Sequence, residues 1–188
     1  SFLINRFTFG ARPGETQKLA ESADKNVFEN WVNAQVSRVN VEPQKLVSSI
    51  ESLKSTKMTN EQILRKYAPS DYKDKTYDEF PASAAGAVDE LVLQKVLRAA
   101  YSENQFQEVI ADFWFNHFNV DANFADVRFF VTTHERDAIR ANMFGKFEDM
   151  LIAVSKSPAL MRYFGQNNSQ KGRGVENFSR EVLELYTM

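Results

Sequence analysis

The sequence contains no cysteine, which excludes disulfides, thiolate zinc sites and a cysteine nucleophile. That absence leaves the compartment open, since reducing and oxidising environments both accept cysteine-free chains. No apolar run approaches the roughly 20 residues that a membrane-spanning helix needs. Residues 1–6 (Ser-Phe-Leu-Ile-Asn-Arg) lack the basic region and long apolar stretch of a signal peptide. There is no glycine-rich phosphate loop, no His-Glu-x-x-His and no Gly-x-Ser-x-Gly. Histidine occurs twice, as His117 and His134, so a metal would need carboxylates to complete its shell. There is also no basic excess. With 23 Lys and Arg against 25 Asp and Glu, the net charge is −2, and the footprint that nucleic-acid backbones demand is missing.

What is present is an ordinary globular composition, 43% hydrophobic and 26% charged over 188 residues, enough for a sizeable core. Sixteen phenylalanines stand beside 6 tyrosines and 2 tryptophans, rings that fill a core or dock on a partner. The apolar spacing is helical nearly throughout. Pro13-Gly14 marks a turn, Pro43 sits where a helix can begin, and Thr59 with Gln62 has the form of a capping box. A stripe of Val88, Leu91, Val92, Val96 and Leu97 is followed by Phe106, Val109, Ile110, Phe113, Trp114 and His117. A further helix is predicted from Val127 to near Asn142.

These patterns predict an all-α chain, an irregular multi-helix bundle of about eight to ten helices. Residues 1–188 are expected to form a single helical domain, with flexible loops at 68–81 and 166–174. The core is expected to draw on Val88, Leu91, Val92, Leu97, Phe106, Ile110, Phe113, Trp114, Ile139 and Leu183. The last helix stops within its own apolar run, the expectation being a fragment of a longer chain.

Three segments place polar residues on apolar stripes. In the first, 112–118, His117 follows Trp114 by three residues and Phe113 by four, so its ring is expected on their buried side. It is read as a hydrogen-bonded core histidine or as a metal ligand or general acid–base, since imidazole titrates near neutrality. In the second, 134–140, Arg136 and Arg140 stand one helical turn apart. They are candidates for carboxylate pairing or for a clamp on an anionic ligand, and Glu135 lies beside them. In the third, 176–186, Glu181 and Glu184 are three apart and can share a face, as carboxylates do in metal-holding bundles. The metal-bundle pattern wants Glu-x-x-His, however, and an Arg180–Glu184 pair at i,i+4 would explain the charges without a metal.

Four elements recur in order: Arg6-x-x-Phe9-Gly10, Phe113-Trp114-x-Asn116-His117-Phe118, Glu135-Arg136-x-x-Ile139-Arg140 and Glu176-Asn177-x-x-Arg180-Glu181-x-x-Glu184-Leu185. Their order and spacing resemble the bacterial family catalogued as domain of unknown function 1800. The resemblance implies an N-terminal portion of a longer protein, with a periplasmic or cell-surface location. It assigns no activity. Val175 stands where an asparagine is usual in that family, and Tyr186 where a histidine is common, which weakens a metal reading.

Two functions remain open, the first favoured and the second its alternative. One is a structural or interaction module of an exported protein, in which His117, Glu135, Arg136, Arg140, Arg180, Glu181 and Glu184 form a polar network joining three helices. Its partner would be the remainder of its own chain or another protein. The other is an enzyme or ligand-binding domain, such as a metal-assisted hydrolase. It would use His117, Glu135, Glu181 and Glu184 for catalysis, Arg136, Arg140 and Arg180 for binding, and His117, Glu181 and Glu184 for metal. No cofactor is required by the sequence. Both readings expect the three segments to converge, and they differ in whether the convergence is sealed or open to solvent.

Overall fold

The computed structural model describes residues 2–37, 40–74, 79–172, 174 and 176–187. Among them are eleven α-helical segments and no strand; the fold is all-α. In chain order these are α1 (Phe2–Phe7), α2 (Glu15–Ala20), α3 (Val27–Ser37), α4 (Gln44–Ser52), α5 (Asn60–Tyr67), α6 (Gly86–Tyr101) and α7 (Gln105–His117). They continue with α8 (Val131–Thr133), α9 (Phe147–Ser155), α10 (Pro158–Tyr163) and α11 (Asn177–Glu181). Two π-helical segments extend α8 and α11, at His134–Arg140 and Val182–Tyr186.

The punctuation in the sequence works as its chemistry dictates. Gly14 precedes α2 at φ 78°, a left-handed conformation that only glycine adopts without penalty. Thr59 caps α5 in a reciprocal box: its hydroxyl accepts from the Gln62 N–H at 3.3 Å, and the Gln62 side chain accepts from the Thr59 N–H at 2.9 Å. Residues 125–129 form a 3₁₀ turn where the helix from Val127 was expected to begin, so that helix is a composite of 3₁₀, α and π segments.

By packing, residues 1–52 with 93–113 form one compact unit and 53–92 with 114–188 another. In the first, the turn between α6 and α7 leaves helix-end carbonyls and N–H groups to be paired from elsewhere. Gln105 donates to the carbonyls of Ala99 and Ser102 at 3.1 and 2.8 Å. The Glu42 carboxylate accepts from the Ser102 hydroxyl, the Glu103 N–H and the Asn104 amide at 2.7–3.0 Å. Gln35 accepts from the Phe106 N–H and donates to the Glu103 carbonyl. Gln35, Ser102, Asn104 and Gln105 are buried yet satisfied, the condition under which buried polar groups are tolerated. Phe7 packs against Trp31 and Phe106 in the same unit.

The second unit is built around Phe118, Phe129, Ile63, Ile139, Met150 and Leu160, all at most 1% exposed. Each such side chain contributes about 1.5–3 kcal/mol of burial free energy. Within 68–81, Tyr72–Asp74 forms a 3₁₀ turn, and the rings of Tyr72 and Phe80 stand edge-on to Phe129; residues 75–78 lie outside the described residues, as do Arg173 in the 166–174 segment and Val175. Of the expected core, Leu91 and Ile139 are buried, and Val88, Leu97, Phe106, Ile110 and Trp114 are half-buried. Val92, Phe113 and Leu183 correct the expectation: they are 54%, 56% and 64% exposed. Helical spacing identifies a stripe, but α6 and α7 carry apolar residues around more than one face, and spacing cannot say which face is covered.

Candidate functional site

The histidine of the core is His134. It is 1% exposed, and its Nε2 lies 3.0 Å from the Phe118 carbonyl. A carbonyl only accepts, so Nε2 carries the proton and Nδ1 is the acceptor. The Ser157 hydroxyl then donates to Nδ1 at 2.9 Å. Ser157 precedes α10 but makes no side-chain cap to it; its hydroxyl is directed to His134. Burial pushes the imidazole down to about 4, against the opposing pull of the Phe118 hydrogen bond and the nearby Glu135 carboxylate. His134 is a neutral bolt joining the end of α7, the π-helical segment after α8 and the start of α10.

The π-helical geometry of His134–Arg140 decides the next contacts. In an α-helix, residues five apart point well away from each other; the i→i+5 repeat of a π-helix stacks them. Glu135 and Arg140 are five apart, and Arg140 donates to the Glu135 carboxylate from Nε at 3.0 Å and Nη2 at 2.9 Å. Glu135 is 1% exposed. Arg136 turns instead to the carbonyls of Thr56 and Met58, both at 2.9 Å, and to the Asp137 carboxylate. The two guanidinium groups make no joint clamp: one neutralises a buried acid and the other holds down the 3₁₀ turn at Lys54–Lys57.

His117 has the opposite environment. It is half-buried, its ring edge-on to Trp114 and Phe118, with Nε2 3.3 Å from the Tyr186 carbonyl. Beside it lies a cleft of about 520 Å³, within the range of small-molecule sites. His117, Asn116 and Asn119 line one part of it and Glu181, Leu185 and Tyr186 another, with Tyr163 and Phe164 between. Asn116, Asn119 and Leu185 are exposed and Glu181 is half-buried, so the cleft is open to solvent. The Tyr186 ring packs against His117, Phe118 and Phe164. Burial, reinforced by the negative charge of Glu181, raises its phenol well above the usual tyrosine range.

A model of the family described as protein of unknown function (DUF1800) matches residues 2–188. The chain belongs to the DUF1800 family. No curated protein and no solved structure matches it. In this DUF1800 domain the three polar segments do not form one site. The first and third meet at the cleft, through Asn116, His117, Glu181 and Leu185; the first and second meet at the sealed contact of Phe118 with His134.

Glu184 is exposed and is not part of the cleft. It forms no ion pair with Arg180 among the described residues, because the π-helical segment at Val182–Tyr186 changes the i,i+4 geometry on which that pair depends. His117, Glu181 and Glu184 are not assembled as a ligand shell: no group of three or more His, Asp or Glu side chains suited to a metal occurs among the described residues. The sequence did not single out His134, Ser157, Asn119, Tyr163 or Phe164. Only Ser157, in a Ser-Pro start to a helix, carries a local signal, and it points to capping rather than to His134. Both π-helical segments fall in the polar segments that the sequence picked out, consistent with the tendency of π turns to occur at functional positions.

Proposed function

We propose that this domain binds a small organic ligand in the cleft beside His117, and that the sealed contacts around His134 and Glu135 hold that cleft in shape. One observation carries the reading: the first and third polar segments, 64 residues apart along the chain at His117 and Glu181, line the same solvent-open cavity. A polar network serving packing alone would be closed and internally paired, as it is at His134 and at Glu135–Arg140. The expected network is thus split into a closed half that supports and an open half that binds. His117 is the group in the cleft suited to give or take a proton from a bound molecule, and the Asn116 and Asn119 amides add hydrogen-bonding capacity.

The test is a fragment screen by NMR with the imidazole of the protein labelled, comparing the unaltered chain with His117→Ala. Fragments that move the His117 resonances and whose own ligand-detected binding signal falls in the variant support the reading. A screen in which fragments gather elsewhere and leave His117 unmoved would return the chain to a purely structural role. Metal content measured on protein isolated without chelators is expected to be far below one transition-metal ion per chain, as no ligand shell is gathered among the described residues.

A further inference from the structure

Glu181 is the acidic group of the cleft. It is half-buried, and among the described residues no Lys or Arg side chain lines the cavity with it. Among the described residues it has no ion-pair partner, whereas the buried acid Glu135 has Arg140. A carboxylate partly withdrawn from water is costly unless a positive charge faces it. Around it stand three aromatic residues, Tyr163, Phe164 and Tyr186, whose rings follow one another at 5.1 and 6.3 Å between centroids. Aromatic faces grouped in this way attract organic ammonium ions through their quadrupoles. A metal ion is not served by one carboxylate, and an anionic ligand would meet Glu181 with no compensating cation.

We propose, on the reading that the cleft is a ligand site, that it receives the ammonium group of an organic cation, with Glu181 as counter-ion and the rings of Tyr163, Phe164 and Tyr186 as its walls. Asn116 and Asn119, at the exposed part of the cleft, would contact the polar remainder of the ligand. The raised phenol of Tyr186 supports the same arrangement, since it reflects in part the negative potential of Glu181.

The experiment titrates the chain with choline and with its uncharged carbon isostere, 3,3-dimethylbutan-1-ol, following the His117 imidazole by NMR. Choline is expected to bind at least about tenfold more tightly than the isostere, and Glu181→Gln, which keeps the side-chain shape, to remove that preference. Tyr163→Leu should weaken choline by a further several-fold while the thermal melt stays that of the parent. Equal binding of the two probes, or an undiminished preference in Glu181→Gln, overturns the ammonium assignment. If neutral probes such as a hexose move His117 and choline does not, the cleft stands as a ligand site and the cation proposal falls. If no probe moves His117, both fall.

Discussion

His134 donates its Nε2 proton to the Phe118 carbonyl across 3.0 Å, at a site with 1% exposure. Phe118 ends the stretch that carries His117, so this bond fixes the cleft-bearing end of α7 against the π-helical segment. The imidazole is held neutral by its burial, and in that form Nδ1 accepts from the Ser157 hydroxyl.

A pH dependence follows. Burial holds the folded-state value at about 4, below the ordinary 6.5. The unfolded chain therefore binds more protons than the folded chain between those two values, and stability rises with pH across that window. The contribution is fully present above about pH 6.5 and is lost progressively as the pH falls towards 4, by at most about 3 kcal/mol. Urea unfolding at pH 7, 6, 5 and 4 measures it. His134→Gln is expected to be less stable at pH 7 and to show a much shallower slope between pH 6.5 and 5. An unchanged slope in that variant would assign the effect to other groups.

The buried pair Glu135–Arg140 makes a second, asymmetric prediction. Glu135 is the more deeply enclosed partner, its side chain 2% exposed against 16% for Arg140. Arg140→Ala strands a carboxylate in the interior and is expected to cost about 3–5 kcal/mol. Replacing both residues by leucine removes the stranded charge and should recover a large part of that loss. Chemical denaturation of the two single variants and the double variant forms the cycle. Additive losses would show that the two side chains do not act as a pair.

Much of this was legible in the residues. The all-α class follows from helical spacing, and the starts of α2 and α5 follow from Gly14 and Thr59, whose side-chain chemistry acts locally. The segments that matter were also marked, because charge and amide groups on apolar stripes stand out. Their partners were not. Sequence spacing assumes α-helical geometry, and both marked acidic segments change to π-helical geometry at the decisive place, so that Glu135 meets Arg140 at i+5 and Glu184 does not pair with Arg180. That His134, and not His117, is the fully buried histidine was hidden for a related reason. His117 sits on a stripe whose outer residue, Phe113, is 56% exposed, whereas His134 is enclosed by Phe118 and Ser157, contacts 16 and 23 residues away along the chain.

His117 provides the contrasting variant. It is half-buried, with Nε2 3.3 Å from the Tyr186 carbonyl and its ring against Trp114 and Phe118. Because it is less deeply enclosed than His134, His117→Ala is expected to cost less stability than His134→Ala, while weakening ligand binding in the cleft. Thermal melts of His117→Ala and His134→Ala side by side measure the difference. Equal losses would place His117 in the supporting framework and remove the distinction between the closed and open halves.

Gly86 opens α6 with ordinary helical angles, φ −54° and ψ −33°. By helix propensity alone, alanine there should stabilise by up to about 1 kcal/mol. The surroundings reverse the sign. A Cβ at Gly86 would lie 2.6 Å from Cε1 and 3.2 Å from Cδ1 of Tyr67, and the ring of that half-buried tyrosine is rigid, so it must swing away as a whole. Displacing a packed ring costs about 1–3 kcal/mol, more than the propensity gain. Gly86→Ala is therefore expected to lower the melting temperature. In a Tyr67→Leu background the obstacle is gone, and the same substitution should become neutral or stabilising. A Gly86→Ala loss that persists in that background would mean the glycine serves the backbone and not the approach of Tyr67.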